Sequence, residues 1–494
     1  MSVGISARVA AGAKLGLELE MPVAGRADGA SVPVRDYFER LAGLRRERGQ
    51  AAALVRIGEV AVGVSGPLGE SGLDNGFNLL ETAFAPVAGG AGGLDRLDAA
   101  VREELADVRT ALAADAAFVL NASEHPDCTL DEEWYRRVRV PRPIYRELAG
   151  YRGWLHRAGI DAKAQNGPCT AVPVREAVRA LNVSLALAPA LMALYANSPL
   201  QAGRETGLKE NRMTLWDRMF RHARFAGDHF LQQLPERPFR DLGDHFRWMY
   251  GAGTASRALS WHAGDDYKSA VSVYLEGDPA LGRFLRAAAW AGRRGDTGER
   301  VMLAPRAEHF VYSQFAHFLD ARWRYRLART PALPDLLAAW DRPGGLEALF
   351  EACGCDGYIE ARAFGAVFPD AQLLREAGAD VGAGVILGAS ALQLGLLANL
   401  DEAEALVRQW GWLELRGLRA PAIRHALDDA RVRALCGEVL AVAQAGLAPA
   451  DRHWLRYPRY VVESGTTAAD LQLRLWRSAP RATFYRERAL QLPG

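Results

Sequence analysis

Lysine is the scarcest charged residue in this 494-residue chain: of 60 basic side chains only Lys14, Lys163, Lys209 and Lys268 are lysines, and the rest are arginine. Such replacement leaves the surviving lysines as candidates for places where a compact ammonium is needed and a planar guanidinium will not fit. An excess of charge of either sign is also missing. With 59 acidic residues the formal charge is +1, which gives no electrostatic case for nucleic acid or a membrane surface. Cysteine is sparse and odd in number. Cys128, Cys169, Cys353, Cys355 and Cys436 contain no Cys-x-x-Cys pair, which excludes a zinc finger and a disulfide framework and points to a reducing, cytoplasmic setting. The N-terminus carries Arg8 and Lys14 where a secretory signal has its apolar run. The two most apolar stretches, 181–199 and 381–400, are interrupted by polar residues, proline or glycine and are expected to be buried helices, with no membrane partner. No Gly-x-x-x-x-Gly-Lys phosphate loop and no Gly-x-Ser-x-Gly nucleophile turn occurs.

What is present is an alternation of strand-like and helical segments, which predicts an α+β fold. Strands are expected at 15–21, 53–57, 60–64, 76–84, 118–121 and 358–364. Helices are expected within the first residues, at 34–46, 94–113, 143–158 and 174–197, and over most of the chain from 385 onward. Residues 161–170 read as extended. Length allows about three domains, or one large sheet with insertions. The preferred division is a catalytic core over 1–380, containing an aromatic-rich insertion at about 217–355, and a helical part over 381–494 packed on the same core. The histidines of the middle segment, among them His245, His309 and His317, lack a metal-ligand pattern and read as packing or surface residues. The run 322–329, Arg-Trp-Arg-Tyr-Arg-Leu-Ala-Arg, reads as a solvated face or an internal anion clamp.

The chemistry is carried by carboxylates at strand spacing. Glu18 and Glu20 in Gly-Leu-Glu-Leu-Glu are two apart and so share a face. Glu81 lies in the apolar segment Leu-Leu-Glu-Thr-Ala-Phe, and Glu360 precedes Arg362 by two in Tyr-Ile-Glu-Ala-Arg. Carboxylates on one buried face repel unless a cation lies between them. Hard cations such as Mg²⁺ take oxygen ligands and share themselves with phosphates, and an arginine beside them can clamp the phosphoryl oxygens. Singly, each segment also fits an exposed polar face or a plain ion pair; together they favour a multi-metal nucleotide site.

The segment ANSPLQAGRETGLKENRMTLW, residues 196–216, resembles the motif that follows the long helix in glutamate-cysteine ligases of the plant and proteobacterial type and in related carboxylate-amine ligases. GLELE, LLETAF and YIEAR resemble three acidic strands of that family. ILGASALQLGLLAN, RQWGWLELRGLRAP and VVESGTTAADLQLRLW resemble its successive C-terminal helical segments. The resemblance implies a glutamine-synthetase-like fold, an antiparallel sheet curved into a funnel, and an ATP-dependent ligase working through an acyl phosphate. By position it implies Glu18, Glu20, Glu81 and Glu360 as ligands of Mg²⁺ or Mn²⁺, with Glu360 and Arg362 catalytic and Arg362, Lys14 and Lys209 at the nucleotide phosphates. Arg212 would hold the α-carboxylate of an amino-acid substrate, with Gln165, Asn166, Asn197 and Trp216 also at the substrate. The chain departs from the family after Arg362, where it reads Ala363, Phe364, Gly365, Ala366 and Val367, and before the long helix, where DAKAQNGPCTAVP loses the family arginine. Both departures lie where substrates would bind. They favour a ligase joining a carboxylate such as glutamate to an amine other than or including cysteine, in specialised metabolism; a housekeeping glutamate-cysteine ligase and a catalytically silent binding partner are the alternatives. Small-molecule amino acids are the expected partners, and the oligomeric state is not legible.

Overall fold

The computed structural model describes residues 14–254, 259–264, 270–315, 317 and 319–492. The expected N-terminal helix and Lys268 lie outside them. Ten strands form one sheet: β1 (Lys14–Gly25), β2 (Ala53–Ile57), β3 (Val60–Gly66), β4 (Gly69–Leu73), β5 (Leu79–Phe84), β6 (Val87–Ala88), β7 (Ala117–Val119), β8 (Asn166–Ala171), β9 (Ala321–Leu327) and β10 (Cys355–Ala361). Their order is β9-β10-β8-β1-β5-β4-β3-β2, with β6 and β7 also paired to β1. Every pairing is antiparallel. A separate three-stranded sheet forms from Val273–Leu275, Trp290–Arg294 and Arg300–Leu303, inside the aromatic-rich insertion.

The period of two along β1 sets the two faces of the sheet. Leu15, Leu17, Leu19, Met21 and Val23 are buried in the apolar core, whereas Gly16, Glu18 and Glu20 occupy the opposite face. The long helices cover the apolar face. α1 (Tyr37–Glu47) lies on β3, α2 (Gly93–Ala113) on β1 and β7, α3 (Ala177–Leu194) on β9 and β10, and α4 (Val385–Ala398) on β8. The apolar residues of α2 recur at helical spacing, Leu94, Leu97, Val101, Leu105, Val108 and Leu112, and all are buried. α4 is buried all round because α5 (Ala430–Gly446) packs on its outer side. The segment Val174–Leu194 is long and apolar enough to cross a membrane, and 89% of its most apolar 18-residue stretch is buried in the protein, as the sequence reading expected.

Two expectations need correction. Residues 143–158 do not form an α-helix: they contain a π-helical turn, Arg146–Tyr151, and a 3-10 turn, His156–Ala158. Gly150 and Gly153 interrupt the pattern, the latter at φ +73. In the run 322–329 Arg326, Ala328 and Arg329 are exposed, but the solvated-face reading does not hold for the residues before them. Trp323 and Tyr325 enter the core on β9 while Arg322 and Arg324 take the opposite face.

An ion cluster crosses the core beside the central strands. Arg45 of α1 is 2% exposed and pairs with Glu104 and with Asp107 at 3.2 Å, both on α2. Ser71 of β4 and Thr82 of β5 donate to the same Glu104 carboxylate at 2.7 and 2.9 Å. Removing one member of such a set leaves uncompensated charge in a dry interior. Arg45→Met should therefore lower the unfolding free energy by about 3–5 kcal/mol in urea titration. Arg102→Met, which removes a half-exposed i,i+4 pair with Asp98, should cost under about 1 kcal/mol.

Candidate functional site

The face of the sheet opposite the apolar core carries the charged residues in rows set by strand register. Glu20 lies opposite Glu81 on β5, and Glu18 lies opposite Ala83 on one side and Gly167 on the other. Glu360 lies opposite Arg322 and Cys169. The loop before β5 adds Asp74, and the chain before β8 adds Lys163 and Gln165. Together these residues line a cavity of about 420 Å³, closed on its far side by Arg142, Tyr145, Trp154, His156 and Trp216. A second, more apolar cavity of about 390 Å³ shares Glu18, Ala83 and Arg324 with the first and is walled by Phe84, Pro86, Cys169 and Tyr358.

The electrostatics divide this face into two halves. In one, the Glu360 carboxylate is held by Arg322 at 2.5 Å, Arg362 at 2.9 Å and Arg324 at 3.6 Å. Burial opposes its ionisation, but these arginines hold it well below the usual carboxylate range. In the other half, oxygens of Glu20, Asp74 and Glu81 all lie within 4.8 Å of one another. Lys163, itself 4% exposed, places its ammonium 2.9 Å from both Glu20 oxygens and 2.7 Å from Asp74. Burial would lower the Lys163 pKa, and the two acids more than offset it. Between the halves, Glu18 is pushed up to about 8 by burial and by Glu360 and Glu81, and Glu20 to about 7 by burial with Asp74 and Glu81, against the pull of Lys163. A carboxylate whose ionised form is this disfavoured is complemented by a hard cation. The all-oxygen triad Glu20, Asp74 and Glu81 has the donor chemistry for one.

Seven of the residues singled out from the sequence meet in the first cavity: Glu18, Glu20, Glu81, Glu360, Arg362, Gln165 and Trp216. The Arg362 guanidinium stands 5.8 Å from the Trp216 ring centroid, and its buried Nε has no hydrogen-bond partner. Lys14 lines only the second cavity and pairs with Asp356 at 2.7 Å. The others lie elsewhere. Asn166 pairs with Leu19 in register, so it takes the core face and donates to the Val367 carbonyl at 3.2 Å. Asn197 is fully buried between Asn121, the Ala366 carbonyl and Arg488. Lys209 pairs with Asp470 and with Asp428 at 3.1 Å in a separate surface pocket. Arg212 spends its guanidinium on Glu210 at 2.9 Å and on the carbonyls of Arg362, Ala363 and Phe364 at 3.1–3.4 Å. It holds the turn after β10. Gly365 in that turn has no room for a side chain, since a Cβ would stand 2.3 Å from the Tyr195 carbonyl oxygen.

Asp74, Arg142 and His156 were not among the sequence candidates, and Arg322 and Arg324 were read only as part of a run that is either a solvated face or an internal anion clamp. The arginines of β9 had a signal, the strict alternation of arginine with aromatic or aliphatic residues through 322–327, which is strand spacing with one charged face. Asp74 and His156 lie in irregular segments, where spacing carries no orientation.

Residues 14–239 match the model of glutamate-cysteine ligase family 2 (GCS2). Among solved structures, the chain is similar to the glutamate-cysteine ligase of Francisella tularensis in complex with AMP, with a TM-score of 0.52 and 11% identity over 97% of this chain and 87% of that one. A bifunctional glutathione synthetase from Pasteurella multocida aligns with a TM-score of 0.46 and 12% identity, over 99% of this chain and 52% of that one. No curated protein matches. At these identities the likeness is one of fold.

The raised carboxylates make a measurable prediction. At pH 6 Glu18 and Glu20 hold protons that a cation must displace, so Mg²⁺ affinity should rise from pH 6 to 8, with proton release seen by calorimetry in two buffers. Because the folded, cation-free form binds more protons than the unfolded chain between pH 4.5 and about 8, its stability should fall as pH rises through that window, and Mg²⁺ should restore it. Glu81→Gln should abolish both effects of Mg²⁺.

Proposed function

We propose, from the match of residues 14–239 to glutamate-cysteine ligase family 2, that this chain is an ATP-dependent carboxylate-amine ligase that forms an amide bond through an acyl phosphate. The observation that carries this reading is the buried face on which Glu18, Glu20, Glu81 and Asp74 gather beside Arg362, Arg322 and Arg324. Glu20, Asp74 and Glu81, with Glu18 adjacent, would hold Mg²⁺ or Mn²⁺, which when bound neutralises phosphate charge. The apolar cavity beyond Glu18 suits the nucleotide base, between Phe84, Pro86 and Tyr358. Its phosphates would then reach across Glu18 to the arginines.

In the first step a substrate carboxylate oxygen attacks the γ-phosphorus, the bond to the bridging oxygen breaks, and ADP leaves. Arg362, with Nε free and its position fixed by Glu360, donates to the oxygens on which charge accumulates. In the second step an amine nitrogen attacks the acyl carbon, the carbon–oxygen bond to phosphate breaks, and the nitrogen loses a proton to solvent. No protein nucleophile is required. Trp216, Trp154 and Tyr145 limit access of water to the acyl phosphate from the far wall. Glutamate or a related amino acid is the carboxylate we favour, with an amine other than or including cysteine; glutamate-cysteine ligation itself is the second reading.

The test is to incubate purified protein with Mg²⁺ and ATP and record phosphate, pyrophosphate and product masses, first with glutamate plus cysteine and then with amino-acid pools. ADP and phosphate with an amide product are expected. Arg362→Gln should lower kcat on the order of 100-fold. Release of AMP and pyrophosphate, or no turnover with any pool, would overturn the reading.

A further inference from the structure

A cavity of about 1010 Å³ lies next to the acid site and shares Arg142, Tyr145, Trp154 and His156 with it. Six arginines line it: Arg35, Arg136, Arg139, Arg142, Arg146 and Arg157. The carboxylates among its described lining residues are Glu132 and Asp296. Glu132 is engaged by Arg157 at 3.4 Å and Arg136 at 3.6 Å, and Asp296 by Arg294 at 2.8 Å. Arg139 and Arg146 make no ion pair with any described residue, and Arg139 rests over the Tyr135 ring at 5.7 Å. A chain with a net charge of +1 thus concentrates positive charge in one concavity.

A second observation points to a ligand there. His156, on the wall common to both cavities, is 3% exposed and is pushed down to about 4 by burial, so it is neutral. Its Nδ1 lies 2.8 Å from the Tyr135 hydroxyl, and its buried Nε2 has no hydrogen-bond partner among the described residues. A buried polar atom left unpaired is costly unless something satisfies it. The wall itself is built for the purpose. Arg146 opens a π-helical turn, Arg146–Tyr151, a form that recurs at functional sites. Tyr151 at its end stacks on Tyr274 of the small sheet at 4.2 Å, so the insertion supplies the opposite wall through residues 270–274.

We infer that this arginine cavity is a subsite for a second oxyanionic group, a carboxylate or a phosphate carried by the amine substrate away from its reacting nitrogen. The inference rests on the ligase reading for the identity of the substrate. The apolar cavity on the other side of Glu18 suits the base of the nucleotide, which leaves the arginine cavity, adjoining the acid site across Arg142 and His156, for the incoming amine. Arginine suits such a group because its planar fork meets carboxylate or phosphate oxygens in pairs.

Two measurements test it, both on the full chain. The first is phosphate release from Mg²⁺-ATP and a fixed carboxylate with three amine sets: neutral amines, amines bearing a distal carboxylate, and amines bearing a distal phosphate. One of the anionic sets should exceed the neutral set at least tenfold in kcat/KM, and which set does so identifies the group. In Arg139→Gln and Arg146→Gln, both at exposed positions, that preference should shrink on the order of tenfold through KM, while the Kd of Mg²⁺-ATP moves less than twofold. Equal use of neutral and anionic amines overturns the inference, as does a preference that both variants retain.

The second measurement is independent of turnover: calorimetric binding of inorganic phosphate and of succinate without nucleotide. Saturable, salt-sensitive binding of at least one probe that is lost in both variants supports the subsite even where no amide forms, in which case the ligase reading falls alone. Binding of both probes unchanged in the variants, or no binding of either, overturns the subsite.

Discussion

Everything on the working face of this protein follows from the decision to hold several carboxylates on an apolar sheet. Glu20 and Glu360 are buried and Glu18 and Glu81 half-buried, so solvent screens them poorly and each must find positive charge or give up its own. The chain solves the problem differently at the two ends of the face. Three arginines surround Glu360, while Glu20 and Asp74 share a single lysine. Glu18, between them, has no cationic partner within ion-pair distance among the described residues and is pushed up to about 8 by burial and by Glu360 and Glu81. A face organised in this way is unfinished without a mobile cation, and the unfinished part lies between the cavity that suits a base and the arginines that suit phosphates.

The scarcity of lysine gains meaning here. Lys163 occupies a space bounded by two carboxylates and is almost fully buried, a place for a compact ammonium. Lys14 and Lys209, by contrast, make partly exposed ion pairs away from the acids. Of the three lysines near the sequence motifs, one is at the acid site, and its neighbours along the chain gave no hint of which.

How much could be read in advance depended on regularity. The acids of β1, β5 and β10 were legible because strand spacing tells which residues share a face, helix α2 because its apolar period is strong, and α3 and α4 because their apolar runs are long. The same rule explains the failure at Asn166: one residue of register moves a side chain through the sheet, and Asn166 follows Leu19 into the core. Arg212 lies in the most distinctive sequence segment, yet besides Glu210 and Gln165 its guanidinium is spent on backbone carbonyls contributed by residues about 150 positions later, which spacing cannot reveal. Asp74, Arg142 and His156 reach the site from loops and irregular turns, and the wall over 143–158 looked helical because the composition permitted it.

The strand order carries a further consequence for how the chain is made. β8, residues 166–171, lies beside β1 near the middle of the finished sheet, but its other neighbour, β10, begins at Cys355. During synthesis β8 is therefore an open edge while nearly two hundred residues are added, with its backbone groups available for wrong pairing. Gly167 and Pro168 in that strand bear on this interval: proline offers no N–H for a foreign strand to accept, and the two together weaken the strand's own tendency to pair. The residues that make room opposite Glu18 thus also guard the nascent edge until its partner arrives.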